Sequence, residues 1–153
     1  MSTYTATIRW SAKSGEDYRK GQYSREHEWT FDGGAVVPAS ASPHIVPAPW
    51  SDAAGVDPEE AFVASLSSCH MLFFLDFARR AGFAMSSYVD EADGVLGKLA
   101  DGRMAMTKVT LRPRVEWDGD APDDAALADL HHRAHTACFI ANSVTSEVVV
   151  ETA

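Results

Sequence analysis

The longest apolar stretch of the chain runs from Asp57 to Gly82, DPEEAFVASLSSCHMLFFLDFARRAG. Its ends carry helix punctuation. Asp57 suits the N-cap, Pro58 the first helical position, and Glu60 the third position of a capping box. Glu59 and Glu60 favour the positive end of the helix dipole, Arg79 and Arg80 the negative end, and Gly82 a C′ stop. Between these ends Ala61, Phe62, Val63, Leu66, Met71, Leu72, Phe73, Phe74, Leu75 and Phe77 leave no polar stripe. Such a helix belongs in a core or between subunits. Ser, His and Asp interrupt it, and it reads as too short and too broken to span a membrane.

Period-two alternation predicts strands on either side. Thr3–Trp10 places Tyr4, Ala6, Ile8 and Trp10 on one face. Ser24–Phe31 places Arg25, His27, Trp29 and Phe31 opposite Glu26, Glu28 and Thr30. Asp32-Gly33-Gly34 is a turn. Residues 34–56 are rich in Pro, Ala and Ser, with at most a short strand at Ala35–Val37. A loop of that length inside a domain usually lines or covers something, and Trp50 is its expected anchor. Ala84–Leu99 reads as a strand broken at Asp93-Gly94. Arg103–Trp117 alternates throughout, with Pro113 marking an edge or a bulge. Pro122–Asp124 opens a second helix, with Ala126 or Leu127, Leu130 and Ala134 as a narrow apolar stripe and His131, His132, Arg133 and His135 in its last turns. Thr145–Thr152 closes the chain as a strand. The order of elements is an α+β pattern in a single domain, 1–153.

Composition changes this picture little. With 153 residues, 46% hydrophobic and 23% charged, the chain can bury a sizeable core. A net charge of −9 argues against nucleic acid or an anionic membrane as partner. The N-terminal residues lack the apolar core of a signal peptide, so a reducing cytoplasm is expected. Two cysteines in that compartment point to redox work, metal binding or nothing at all, rather than a structural disulfide.

Candidate chemistry gathers around those cysteines, Cys69 in the apolar helix and Cys138 beyond the second helix. A cysteine in an apolar helix is ordinarily inert packing. For Cys69 to react, a cation must offset the burial that disfavours its thiolate. Arg25, on an aromatic strand face, is the best candidate, against the plainer reading in which it reaches solvent. Glu59 is a candidate to hold the Arg25 fork. Glu59 precedes Cys69 by ten residues, about 15 Å along one helix, and on another face. Glu59 therefore serves Cys69 only from a second chain, by antiparallel pairing of two such helices. His70 is more often a core or interface histidine than a proton carrier beside the thiol. His131, His135 and Cys138, spaced four and three apart, form a weak metal-ligand pattern that Cys69 or His70 would complete. The helix dipole already explains histidines there.

The run Asp57-Pro58-Glu59-Glu60-Ala61-Phe62, Cys69 ten residues after Glu59, the Ala81-Gly82-Phe83 that follows the helix, and His135-Thr136-Ala137-Cys138 with Ser143 together resemble the OsmC/Ohr family. The resemblance covers most of the chain. It implies an α+β fold in which antiparallel sheets wrap two central helices of an intertwined homodimer. It also implies thiol peroxidase activity toward organic hydroperoxides, with Cys69 peroxidatic, Cys138 resolving, and Arg25 and Glu59 in the site. A Cys69–Cys138 disulfide would be reduced by an external dithiol, a lipoyl protein in some family members. No cofactor or metal is implied. Phe139 stands where well-studied members have proline, and His70-Met71 follow Cys69, which places the chain in a less characterised branch. The alternatives are a non-catalytic dimer of the same fold that binds a small apolar or oxidised ligand, and a metal protein built on His131, His135 and Cys138.

Overall fold

The computed structural model describes residues 1–152. They form two compact units, Met1–Ala61 and the chain from Phe62 onward.

The first unit is built on a three-stranded antiparallel sheet in the order β1 (Ala6–Arg9), β2 (His27–Phe31), β3 (Val36–Ala39). Trp29 of β2 sits opposite Ile8 on one side and Val37 on the other. β1 is shorter than its alternation predicts because pairing ends at Ala6↔Phe31 and Arg9↔Glu28. The Asp32-Gly33-Gly34 turn forms as predicted: Gly34 has φ 86°, a left-handed conformation that glycine adopts without strain, and its N–H bonds Phe31 O at 3.0 Å. The long loop is tied down by backbone bonds, Ser40 N to Val56 O at 3.1 Å and Val56 N to Pro38 O at 3.0 Å. Trp50 does anchor it, through its carbonyl, which accepts from Arg25 N at 2.9 Å.

Helix α1 (Pro58–Arg80) starts on the predicted capping box. Asp57 Oδ1 accepts from Glu60 N at 2.8 Å, and Glu60 Oε2 accepts from Asp57 N at 3.2 Å. At 23 residues the helix is long and apolar enough to cross a membrane, contrary to the expectation drawn from its length. What places it in a protein core is its stripe Leu66, His70, Phe74 and Ala78, spaced by four and buried within the second unit.

Two cores flank that stripe. Phe74 and Ala78 pack with Leu130 and Ala134 of α2 (Asp124–Ala137), and with Met85, Tyr88, Val115 and Trp117 from the antiparallel pair β4 (Met85–Asp90) and β7 (Pro113–Trp117). Leu66 packs with Val109, Leu111, Val148 and Val150 of a second sheet, in the order β5 (Asp93–Lys98), β6 (Met104–Leu111), β8 (Glu147–Val150). β6 and β8 run parallel, an exception to the antiparallel expectation. Burial of a Phe or Leu side chain contributes roughly 1.5–3 kcal/mol.

The long alternation from Arg103 to Trp117 is two strands, not one. Pro113 cannot donate to a ladder, and Arg112 N is taken by Asp90 Oδ1 at 2.6 Å, so the chain changes sheets there. Val109 and Leu111 enter one core, and Val115 and Trp117 the other. The break after β4 falls at Glu91-Ala92, two residues ahead of the expected Asp93-Gly94. Gly94 opens β5 close to α1, where a Cβ would lie 2.6 Å from Val63 Cγ2.

Candidate functional site

In the second unit the two cysteines meet. Both are free thiols, Cys69 partly exposed on α1 and Cys138 buried at the C-cap of α2. The α2 helix ends because Cys138 turns to extended backbone, its N–H bonding His135 O at 3.2 Å. Its sulfur accepts from Ala141 N at 3.3 Å, which fixes the side chain. Burial first, and then a hydrogen bond with the Cys69 thiol, pushes the Cys138 thiol up to about 11. A thiol so raised keeps its proton at neutral pH. Of the two, Cys69 is the one open to a reagent. Phe139 next to Cys138 is exposed and packs edge-on against Phe73, one helical turn after Cys69, with ring centroids 5.1 Å apart.

His70 faces away from this chemistry. Its Nε2 hydrogen-bonds His131 Nδ1 at 3.0 Å, the two rings stack within 9° of parallel, and His131 stacks in turn on Phe74 at 4.2 Å. Both histidines are buried. Burial, helped at His70 by the neighbouring His131 and His135, pulls each down to about 4. Both are therefore uncharged at neutral pH, and the hydrogen bond of His70 goes to His131 rather than to a thiol. The pairing also corrects the metal alternative. His131 is turned into the core against His70, and among the described residues no three His, Cys, Asp or Glu side chains gather to hold a metal ion. The pairing was missed because His131 was grouped with its surface neighbours. Its place four after Leu127 and three before Ala134 puts it on the apolar stripe, the signal that would have found it.

In the first unit Arg25 precedes β2 rather than standing on a strand face, and it is held by carbonyls. Its Nη1 donates to Gly21 O at 2.9 Å and to Tyr23 O at 2.5 Å. Its guanidinium lies 3.6 Å from the centre of the Tyr23 ring. Its fork is thus held by backbone and ring, not by Glu59. Glu59, half-buried in the first turn of α1, is ten positions before Cys69 along that continuous helix. Glu16, on which Arg25 also acts, is kept low chiefly by backbone N–H donors from Lys13 and Ser24. His27 Nδ1 donates to Arg25 O at 2.8 Å, while its Nε2 accepts from Trp29 Nε1 at 2.9 Å, which sets its tautomer.

Around Arg25 is a cavity of about 430 Å³ lined mainly by Ile8, Trp10, Tyr18, Tyr23, His27 and Ser40. Ser40 and Ala41 bring the 34–56 stretch to the cavity wall. The sequence pattern did not single out Tyr18 and Tyr23 because they lie outside any strand, in a 3₁₀ turn (Tyr18–Lys20) and the bend after it.

The sequence model for OsmC-like proteins matches residues 51–153, about two thirds of the chain. No curated protein sequence matches it significantly. Among solved structures, an OsmC-like protein of unknown function from Vibrio cholerae is 52% identical, with both chains covered in full and a TM-score of 0.97. The organic hydroperoxide resistance protein OsmC of Legionella pneumophila is 17% identical over 99% of this chain and 97% of that one, with a TM-score of 0.66. OhrB, the organic hydroperoxide resistance protein of Bacillus subtilis, is 20% identical over 98% of each chain, with a TM-score of 0.67. At those identities the last two speak for the fold alone. The family match and the Vibrio relative carry the assignment, and the chain belongs to the OsmC-like family.

Proposed function

We propose that the chain is a cysteine-based peroxidase that reduces organic hydroperoxides to alcohols. The family-level likeness to hydroperoxide-resistance proteins supports a redox role. The observation that carries the finer reading is the contact between a partly exposed Cys69 and a buried, proton-bearing Cys138. Cys69 thiolate attacks the distal oxygen of the hydroperoxide. The O–O bond breaks, the alkoxide leaves and takes a proton to become the alcohol, and Cys69 becomes a sulfenic acid. The Cys138 sulfur then attacks the Cys69 sulfur, its proton leaves with the hydroxyl as water, and a disulfide forms. An external dithiol, a lipoyl protein being one candidate, reduces that disulfide by thiol exchange and is itself oxidised. Arg25 and Glu59 are the proposed partners of the Cys69 thiolate, brought to it in a homodimer. The raised Cys138 leaves the first attack to Cys69, and its proton must depart as its sulfur attacks the sulfenic acid.

The test is mass spectrometry after one equivalent of cumene hydroperoxide. The wild-type chain is expected to yield a Cys69–Cys138 disulfide and one equivalent of alcohol. Cys138→Ser is expected to stop at a Cys69 sulfenic acid that dimedone traps, and Cys69→Ser to consume no peroxide. Peroxide consumption that survives Cys69→Ser, or slow, unselective oxidation of both thiols, would reject the proposal. The second outcome would favour a non-catalytic dimer that binds a small ligand, the reading to which the cavity of the first unit lends support. A reducing cytoplasm is the compartment this chemistry calls for.

A further inference from the structure

We infer that the first unit carries a binding site for a planar aromatic molecule bearing a carboxylate or similar oxyanion. Every residue in it lies within Met1–Ala61, and it shares Arg25 with the reading above, so binding is measured directly, apart from peroxide turnover. The cavity, at about 430 Å³, falls in the range of small-molecule sites, roughly 300–1,000 Å³. Its wall is unusually aromatic. Trp10, Tyr18 and Tyr23 are in mutual contact, with ring centroids 5.8, 5.6 and 4.6 Å apart. Trp10 is pinned by its indole N–H, which donates to Ser24 O at 2.8 Å. Three touching aromatic rings would ordinarily suggest a cage for a cationic ligand. Here the protein supplies the cation itself, because the Arg25 guanidinium already covers the Tyr23 face. A second cation would be repelled.

An anion is welcome instead. Only Nη1 of Arg25 is committed to protein carbonyls, and the guanidinium's remaining donors meet no acceptor among the described residues. Glu16 makes no ion pair with it among the described residues: both of its oxygens accept from backbone N–H groups at 2.8 and 2.9 Å, and its charge acts on Arg25 through space only. A guanidinium with a free donor edge takes an oxyanion by charge-assisted hydrogen bonds. Its flat face and the neighbouring rings take an aryl group by stacking. One ligand class satisfies both, an aromatic acid. Ser40, fully buried behind the cavity wall, accepts from Asp52 N at 2.9 Å and fixes the loop there.

The experiment is calorimetric titration of the full, reduced protein with 2-naphthoate, cyclohexanecarboxylate and 1-naphthylmethylammonium at low salt. Saturable binding of one naphthoate per chain is expected. Cyclohexanecarboxylate is expected to bind about tenfold more weakly or not at all, and the naphthyl cation not at all. Arg25→Gln should weaken naphthoate binding about tenfold or more. That variant also removes two backbone anchors, so Tyr18→Leu, at an exposed ring, is measured independently and should weaken binding severalfold with an unchanged Tm. No saturable binding, equal affinity for the cyclohexane acid, or full affinity in Tyr18→Leu would overturn the inference.

Discussion

At the scale of single residues the buried histidines say most about how the second unit is held. His70 and His131 join α1 to α2 through one hydrogen bond and one stack. The groups facing His70 are His131 and His135, which lower it, and Asp90, which raises it; burial outweighs them all. The unfolded chain binds protons at these positions near pH 6.5, while the folded chain waits until about 4. Between those values the unfolded state holds more protons, so stability is full above about 6.5 and falls as the pH drops toward 4. The loss is roughly 1.4 kcal/mol per pH unit for each histidine. Urea titrations from pH 7 to pH 4 are expected to show this slope. His131→Asn should flatten it and cost about 1–3 kcal/mol at pH 7, because His70 loses its partner. A stability that stays level across this window would refute the account.

At the scale of elements α1 shows how local signals and packing divide the work. Its start was readable because the capping box is purely local, Asp57 and Glu60 satisfying one another's backbone N–H groups. Asp57→Ala is expected to cost about 1 kcal/mol, seen as a lower urea midpoint with an unchanged slope. The face it buries was not readable. A helix apolar all round offers no moment to orient it, and only the sheets and α2 packed against it select Leu66, His70, Phe74 and Ala78. The same holds for the strand from Arg103 to Trp117: alternation located it, but the exchange of sheets at Arg112-Pro113 depends on which partners β6 and β7 find.

At the scale of the whole molecule several large apolar side chains remain exposed. Leu72 of α1 is 60% exposed, and Tyr4, Ile8 and Phe139 are 90%, 58% and 70% exposed. A homodimer built on α1, as proposed above, would cover Leu72. Light scattering is expected to give twice the 16.6 kDa chain mass, and Leu72→Glu to shift the population toward the single chain. A wild-type protein that runs at the mass of one chain at micromolar concentration would count against the dimer, and against any site that needs Glu59 from a partner.

The sequence alone determined where helices and strand regions fall, the capping box that starts α1 and the residues with chemical potential, since these follow from nearest-neighbour rules: cap hydrogen bonds, strand period, proline's missing donor. It also brought out Cys69 and Cys138 through their spacing from Pro58-Glu59 and His135. Tertiary structure decided what those residues touch. Cys138 acquires its raised proton affinity from burial and from a thiol 69 positions away in sequence, His131 is drawn inward by a stripe shared with α1, and Arg25 faces Tyr23 because an irregular bend returns the chain beneath it. The thiol and histidine contacts join segments distant along the chain, the Arg25–Tyr23 contact needs an irregular bend, and local periodicity holds no record of either.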